Sequence, residues 1–97
     1  MATYVVLFNW TEQGIKSYTD SPNRVDAATK VWGDLGVEIK DIYWTIGQHD
    51  LVGILEAPDD ETLAAAMLRL GKLGNVRTTN MRAFARKEAE AVIAKAG

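Results

Sequence analysis

The sequence predicts an α+β fold: one four-stranded antiparallel sheet, two helices on one of its faces and a third helix at the end of the chain. Three observations predict it. Stretches rich in β-branched and aromatic residues alternate with stretches whose apolar residues recur at helical spacing, in the order β-α-β-β-α-β-α. Only a tight turn after Gly47 separates the second strand from the third, so those two form a hairpin. Polar low-complexity tracts and repeats at solenoid periods are absent, so the chain reads as one unit.

Each element has its own justification. Thr3 to Trp10 is the first strand, with no Gly or Pro; Tyr4, Val6, Phe8 and Trp10 share one face, and Val5, Leu7 and Asn9 the other. Both faces are largely apolar, which predicts cover on both sides. Thr11 to Asp20 is a long connection broken at Gly14, on which Ile15 and Tyr18 ride a short helical turn at most. Ser21 and Pro22 start the first main helix as N-cap and first helical residue. Val25, Ala28, Val31, Trp32 and Leu35 form its stripe, and Gly36 ends it. Val37 to Gly47 and Leu51 to Ala57 are the hairpin strands. Asp59 or Asp60 caps the second main helix, whose stripe is Leu63, Ala66, Met67, Leu70 and Leu73, and Gly74-Asn75 stops it. Val76 to Phe84 is the fourth strand, and a last helix runs from about Ala85 to Ala96.

Composition narrows the function classes. The 97 residues carry 11 Lys+Arg against 13 Asp+Glu, a net charge of −2, which gives no broad positive field for nucleic acid. There is no cysteine, hence no disulfide framework, thiolate ligand or thiol nucleophile, and one histidine cannot form a multi-His metal site. No apolar run reaches the roughly 20 residues of a membrane span. No basic segment precedes the first strand, so a cytoplasmic protein without membrane contact is expected. Phosphate-binding glycine loops and a nucleophile elbow are missing, so no cofactor is expected.

The element order matches the split βαβ, or ferredoxin-like, arrangement, with strands ordered 4-1-3-2 and both main helices on one sheet face. The opposite face then stays uncovered, although strand one is apolar on both sides and strand two adds Ile42, Trp44 and Ile46 opposite Tyr43. A large apolar side chain gains roughly 1.5–3 kcal/mol on burial, so an uncovered face is costly. Pairing with a second copy, sheet on sheet, is the expected remedy, giving a homodimer or larger homo-oligomer with a partly polar interior. The alternative is the last helix folding back over the face.

Several ordered motifs point the same way: Tyr4-Val5-Val6-Leu7, Asn9-Trp10-Thr11-Glu12-Gln13-Gly14-Ile15, Tyr43-Trp44-Thr45-Ile46-Gly47, Glu56-Ala57-Pro58-Asp59-Asp60-Glu61-Thr62, Gly74-Asn75-Val76-Arg77-Thr78 and Arg82-Ala83-Phe84. Over about residues 3 to 85 the chain resembles the GYD domain family. The resemblance implies a small bacterial protein with a ferredoxin-like protomer of the dimeric α/β-barrel type, and it assigns no activity. At the family's Gly-x-Tyr-Asp motif this chain reads Gly47-Gln48-His49-Asp50, so an imidazole, which titrates near neutral pH, replaces a phenol.

Strand directions gather three distant segments at one end of the sheet: Thr11 to Gly14, Gly47 to Asp50 and Asn75 to Thr78. His49 and Asp50 are the acid–base candidates there, against the simpler reading of a solvated turn whose Asp bonds the backbone. As an axial haem or metal ligand, His49 lacks a second His or a carboxylate ladder to support it. Arg77 and Arg82 are candidates for an anionic ligand, against ion pairing of an edge strand with Glu56 or Asp41. Trp10 and Trp44 are candidates for stacking on a planar ligand, against packing at an interface. Thr11 and Thr78 complete the ligand-binding set. Two functions follow: a self-associating binding module that holds a small molecule or another protein, or a cofactor-free isomerase- or monooxygenase-like enzyme with His49 as general base.

Overall fold

The computed structural model describes all 97 residues. In chain order it contains β1 (Ala2–Trp10), α1 (Glu12–Lys16), a 3-10 turn (Tyr18–Asp20), α2 (Ser21–Leu35), β2 (Glu38–Trp44), β3 (Leu51–Ala57), α3 (Asp60–Lys72), β4 (Val76–Ala83) and α4 (Arg86–Ala96). The strands lie in the order β2-β3-β1-β4 and every neighbouring pair is antiparallel, which is the ferredoxin-like order read from the other edge. The two main helices predicted from the sequence are α2 and α3.

Period-two alternation divides the sheet. Tyr4, Val6 and Phe8 of β1 and Leu51, Leu55 and Ala57 of β3 point to the helix side, where they are buried against Trp32 of α2 and Leu63, Ala66 and Met67 of α3. Gly53 has a packing role in this layer. A Cβ there would lie 2.9 Å from Leu55 Cδ1 and 3.2 Å from Phe8 Cε1, so its absence lets those side chains close over the strand. Trp32 Nε1 donates to Ala66 O at 3.2 Å, tying α2 to α3 inside the core.

Helix ends follow local chemistry. Asp59 caps α3 by accepting from the Thr62 amide at 2.8 Å. Gly36 closes α2 at φ 86°, a left-handed conformation in which glycine avoids a Cβ clash. Ser21 departs from the expected N-cap role. Asp20 occupies the cap position, while buried Ser21 accepts a hydrogen bond from Trp44 Nε1 at 2.9 Å. The hydroxyl thus pins β2 to the start of α2. The connection after β1 also differs: α1 runs through Gly14 instead of breaking there.

β2 is shorter than expected and irregular. It ends at Trp44, and its register shifts between Ile39 and Asp41. This bulge puts both Ile39 and Ile42 on the helix side, which strict alternation forbids. Ile42 and Trp44 therefore face the helices, Ile46 lies beyond the strand in solvent, and only Tyr43 of that group faces the other way.

The face away from the helices carries Val5 and Leu7 of β1, Val52 and Ile54 of β3, Tyr43 of β2 and Met81 of β4. Tyr43 is 59% and Met81 42% exposed, and the four central aliphatic residues are only half-buried. The chain's own tail does not cover them. α4 has no buried residue, and Val92 and Ile93 on its apolar side are exposed.

Candidate functional site

The end of the sheet where β1 and β2 stop and β3 and β4 start does bring the three segments together. Thr11 N donates to Asn75 O at 3.0 Å, and Thr11 Oγ1 donates to Gly74 O at 2.5 Å. The same hydroxyl accepts the Gly14 amide at 3.0 Å and so caps α1. Gln13 Nε2 reaches Leu73 O and Asn75 Oδ1, each at 3.0 Å. Gly14 permits this docking, because a Cβ on it would stand 1.9 Å from Asn75 O. The Thr-Glu-Gln-Gly and Gly-Asn motifs, 60 or so positions apart, are thus two halves of one backbone joint.

Asp50 is committed to that same framework. Its Oδ2 accepts the Trp10 amide at 2.8 Å, and its own amide donates to Phe8 O at 2.8 Å. Thr45 N donates to Asp50 O and Thr45 Oγ1 to His49 O, which close the turn. His49 does not touch Asp50. Its Nδ1 lies 2.7 Å from Asn9 Oδ1, while Asn9 Nδ2 donates to Gln48 O at 2.8 Å. That second bond orients the Asn9 amide with its oxygen towards the ring, so Nδ1 is the donor of the pair and Nε2 has no partner within the protein. Asn9 pairs in register with Arg77, and both lie on the face away from the helices. One rim of that face is therefore a polar row of Arg77, Asn9 and His49 beside the apolar band of Leu7, Val52, Val5 and Ile54.

The other candidates lie across the sheet from this row. Thr78 pairs with Phe8 and Arg82 with Tyr4, which puts both on the helix side. Arg82 is held by its surroundings. Its guanidinium sits 4.5 Å from the Phe84 ring centroid and 5.7 Å from Tyr4, with Glu88 at 3.7 Å. The partner is thus Glu88, not Glu56 or Asp41; Glu56 lies near Lys40 at 3.8 Å instead. Trp10 is half-buried on the helix side, and Trp44 spends its indole N–H on Ser21. The eight candidates therefore form two groups separated by the sheet, with Asp50 and Thr11 serving the joint between them.

Sequence reasoning passed over two contributors. Asn9 is the ring's partner, and its signal was available as the polar residue closing the Val5-Leu7 face. Arg24 gave no signal, since a charged residue on a helix surface is ordinary. In the structure it clamps the α1 connection, donating to Gly14 O at 3.2 Å, Ser17 O at 2.9 Å and Ser17 Oγ at 2.6 Å. No group of three or more His, Asp or Glu side chains is arranged so that it could hold a metal ion.

A ferredoxin-like fold with one bare, apolar sheet face and a polar rim defines a class of protein, and comparison with known proteins gives the family. The GYD domain model matches residues 4–93, and the chain belongs to that family. The match takes in most of α4, beyond the last motif recognised at Phe84. The chain is 33% identical, over 85 residues covering 87% of it and 90% of the relative, to a protein of Thermus thermophilus named glutamine synthetase and cystathionine beta-lyase binding protein. Among solved structures it resembles TTHA0845, also from Thermus thermophilus, with a TM-score of 0.54, 26% identity and coverage of 88% of this chain and 95% of that one. It also shares its fold with FFRP-DM1, at a TM-score of 0.62, 17% identity and coverage of 87% and 100%. A hypothetical protein, PHS023 from Pyrococcus horikoshii, has a TM-score of 0.56 at 17% identity, with coverage of 89% and 93%.

Proposed function

We propose that this protein is a self-associating binding module: two copies, or a larger ring, pair through the bare sheet faces, and the assembly holds another protein. The carrying observation is the band of Val5, Leu7, Val52, Ile54 and Met81, which no element of the chain covers. Sheet-on-sheet packing removes this band from water and interdigitates its side chains as in a β-sandwich core. The Arg77-Asn9-His49 row then lies at the edge of the enclosed space, where a small hydrogen-bonding or anionic ligand finds donors. The relative's name supports a protein partner, because a chain similar over nearly its whole length is named for binding two enzymes.

Purified chain is tested against a glutamine synthetase and a cystathionine beta-lyase from its own source by biolayer interferometry. Saturable binding to at least one is expected. Binding to neither contradicts the protein-partner reading. Leu7→Lys and Ile54→Lys, on the bare face, are expected to yield monomers. Leu68→Lys, on the exposed side of α3, is expected to leave association unchanged. Equal behaviour of all three contradicts the face assignment.

A second reading, a cofactor-free enzyme with His49 as general base, is favoured by one observation, the Asn9 hydrogen bond that engages Nδ1 and leaves Nε2 without a partner in the protein. It predicts loss of turnover in His49→Gln with association intact. Loss of association in that variant instead assigns the residue to the interface.

A further inference from the structure

A second feature lies on the other side of the sheet and is independent of self-association. α2 and α3 are tied where Trp32 meets Ala66, and towards the start of α2 and the end of α3 they leave a cavity of about 180 Å³ over the sheet. Phe8, Trp10 and Leu51 form part of its floor, and Val25, Ala28 and Leu70 part of its sides. Ala27, Val31, Arg69 and Leu73 are exposed members of the lining, so the mouth opens outward between the helices.

Two properties define what this space accepts. Its volume is slightly above the roughly 150 Å³ of an apolar cavity that takes up benzene, so it suits one ring or a short branched chain. Its charged lining residues are Arg24 and Arg69, with no carboxylate. Arg24 is occupied by three oxygens of the α1 connection, whereas the Arg69 guanidinium makes no hydrogen bond or ion pair in the protein. Asn75 also lines the space. Its amide oxygen accepts from Gln13, which leaves its NH₂ group as a further donor. Apolar walls with unmatched cationic and amide donors fit an amphipathic anion, with the hydrocarbon inside and the charge at the mouth.

We propose that the cavity between α2, α3 and the sheet is a binding site for a compact apolar carboxylate, with Arg69 as its counter-ion.

Benzoate is the probe, and benzyl alcohol its uncharged counterpart of similar size. Each is titrated into the full chain and followed by heteronuclear NMR at the Trp10 and Trp32 indole N–H groups and the Val25 and Leu70 methyls. Benzoate is expected to shift these signals saturably, and to leave Val5 and Ile54 on the bare sheet face unmoved. Arg69→Gln, an exposed position, is expected to weaken benzoate by about tenfold and to leave benzyl alcohol unchanged. Ala28→Phe, which fills the space, is expected to abolish both. The proposal is overturned by shifts at the sheet face instead of the cavity, by no saturable shift up to the probe's solubility, or by equal affinity of Arg69→Gln and the parent for benzoate. It is also overturned if dilution shifts Val92 or Ile93 together with the cavity signals, because α4 of a second copy is then the occupant.

Discussion

At the scale of single residues, the molecule spends polar groups on building the sheet end, and that division of labour can be measured. Asp50→Ala leaves the half-buried Trp10 amide without its acceptor. The expected cost is about 1–3 kcal/mol in urea unfolding, and Asp50→Asn should cost less. Gly14→Ala forces a Cβ into the Asn75 carbonyl, a backbone atom that cannot swing aside. A loss of about 1–3 kcal/mol is expected, with faster hydrogen exchange at the Thr11 amide. Tyr4 gives a pH signature. Burial, and then the hydrogen bond its hydroxyl donates to Asp60, push its pKa up to about 12 from the usual 10.0. The folded chain keeps the phenol proton to higher pH than the unfolded chain does. Stability from this residue is therefore intact below pH 10 and declines as pH rises from 10 towards 12, a decline that chemical denaturation should detect and Tyr4→Phe should lack.

At the scale of elements, caps and periodicity explain most of what forms, and local register explains what the sequence hid. Helical stripes and the Gly36 and Gly74-Asn75 stops made α2 and α3 legible, and alternation made β1 and β3 so. The β2 bulge was not legible, because one inserted residue at Lys40 leaves no compositional mark, yet it moves Ile42 and Trp44 to the helix side. Convergence of the three segments followed from strand direction alone. Which face each candidate occupies, and that His49 meets Asn9 and not Asp50, needed the register and the turn geometry. Asp59 supplies the prediction at this scale. Hydrogen bonds from the Thr62 hydroxyl and then its amide hold the Asp59 carboxyl below its usual range. Its contribution to capping α3 is present above the ordinary carboxylate range and is lost as pH falls through the lowered value. Asp59→Ala is expected to lower Tm at neutral pH and to narrow the gap to the parent at strongly acid pH.

At the scale of the whole molecule, the layers do not balance. One sheet face is sealed by α2 and α3, and the other offers an aliphatic band to solvent while α4 stands apart, giving principal extents of 49 × 31 × 19 Å. Each half-buried Val, Leu or Ile on that band retains a share of the roughly 1.5–3 kcal/mol available on full burial. In the proposed assembly a second copy would recover that share several times over and leave the polar row at the rim of a shared interior. Sedimentation equilibrium of the parent chain at micromolar concentration tests this most directly. A mass of twice the 10.7 kDa chain, or a higher multiple, is the predicted result, and a species of 10.7 kDa throughout contradicts the account.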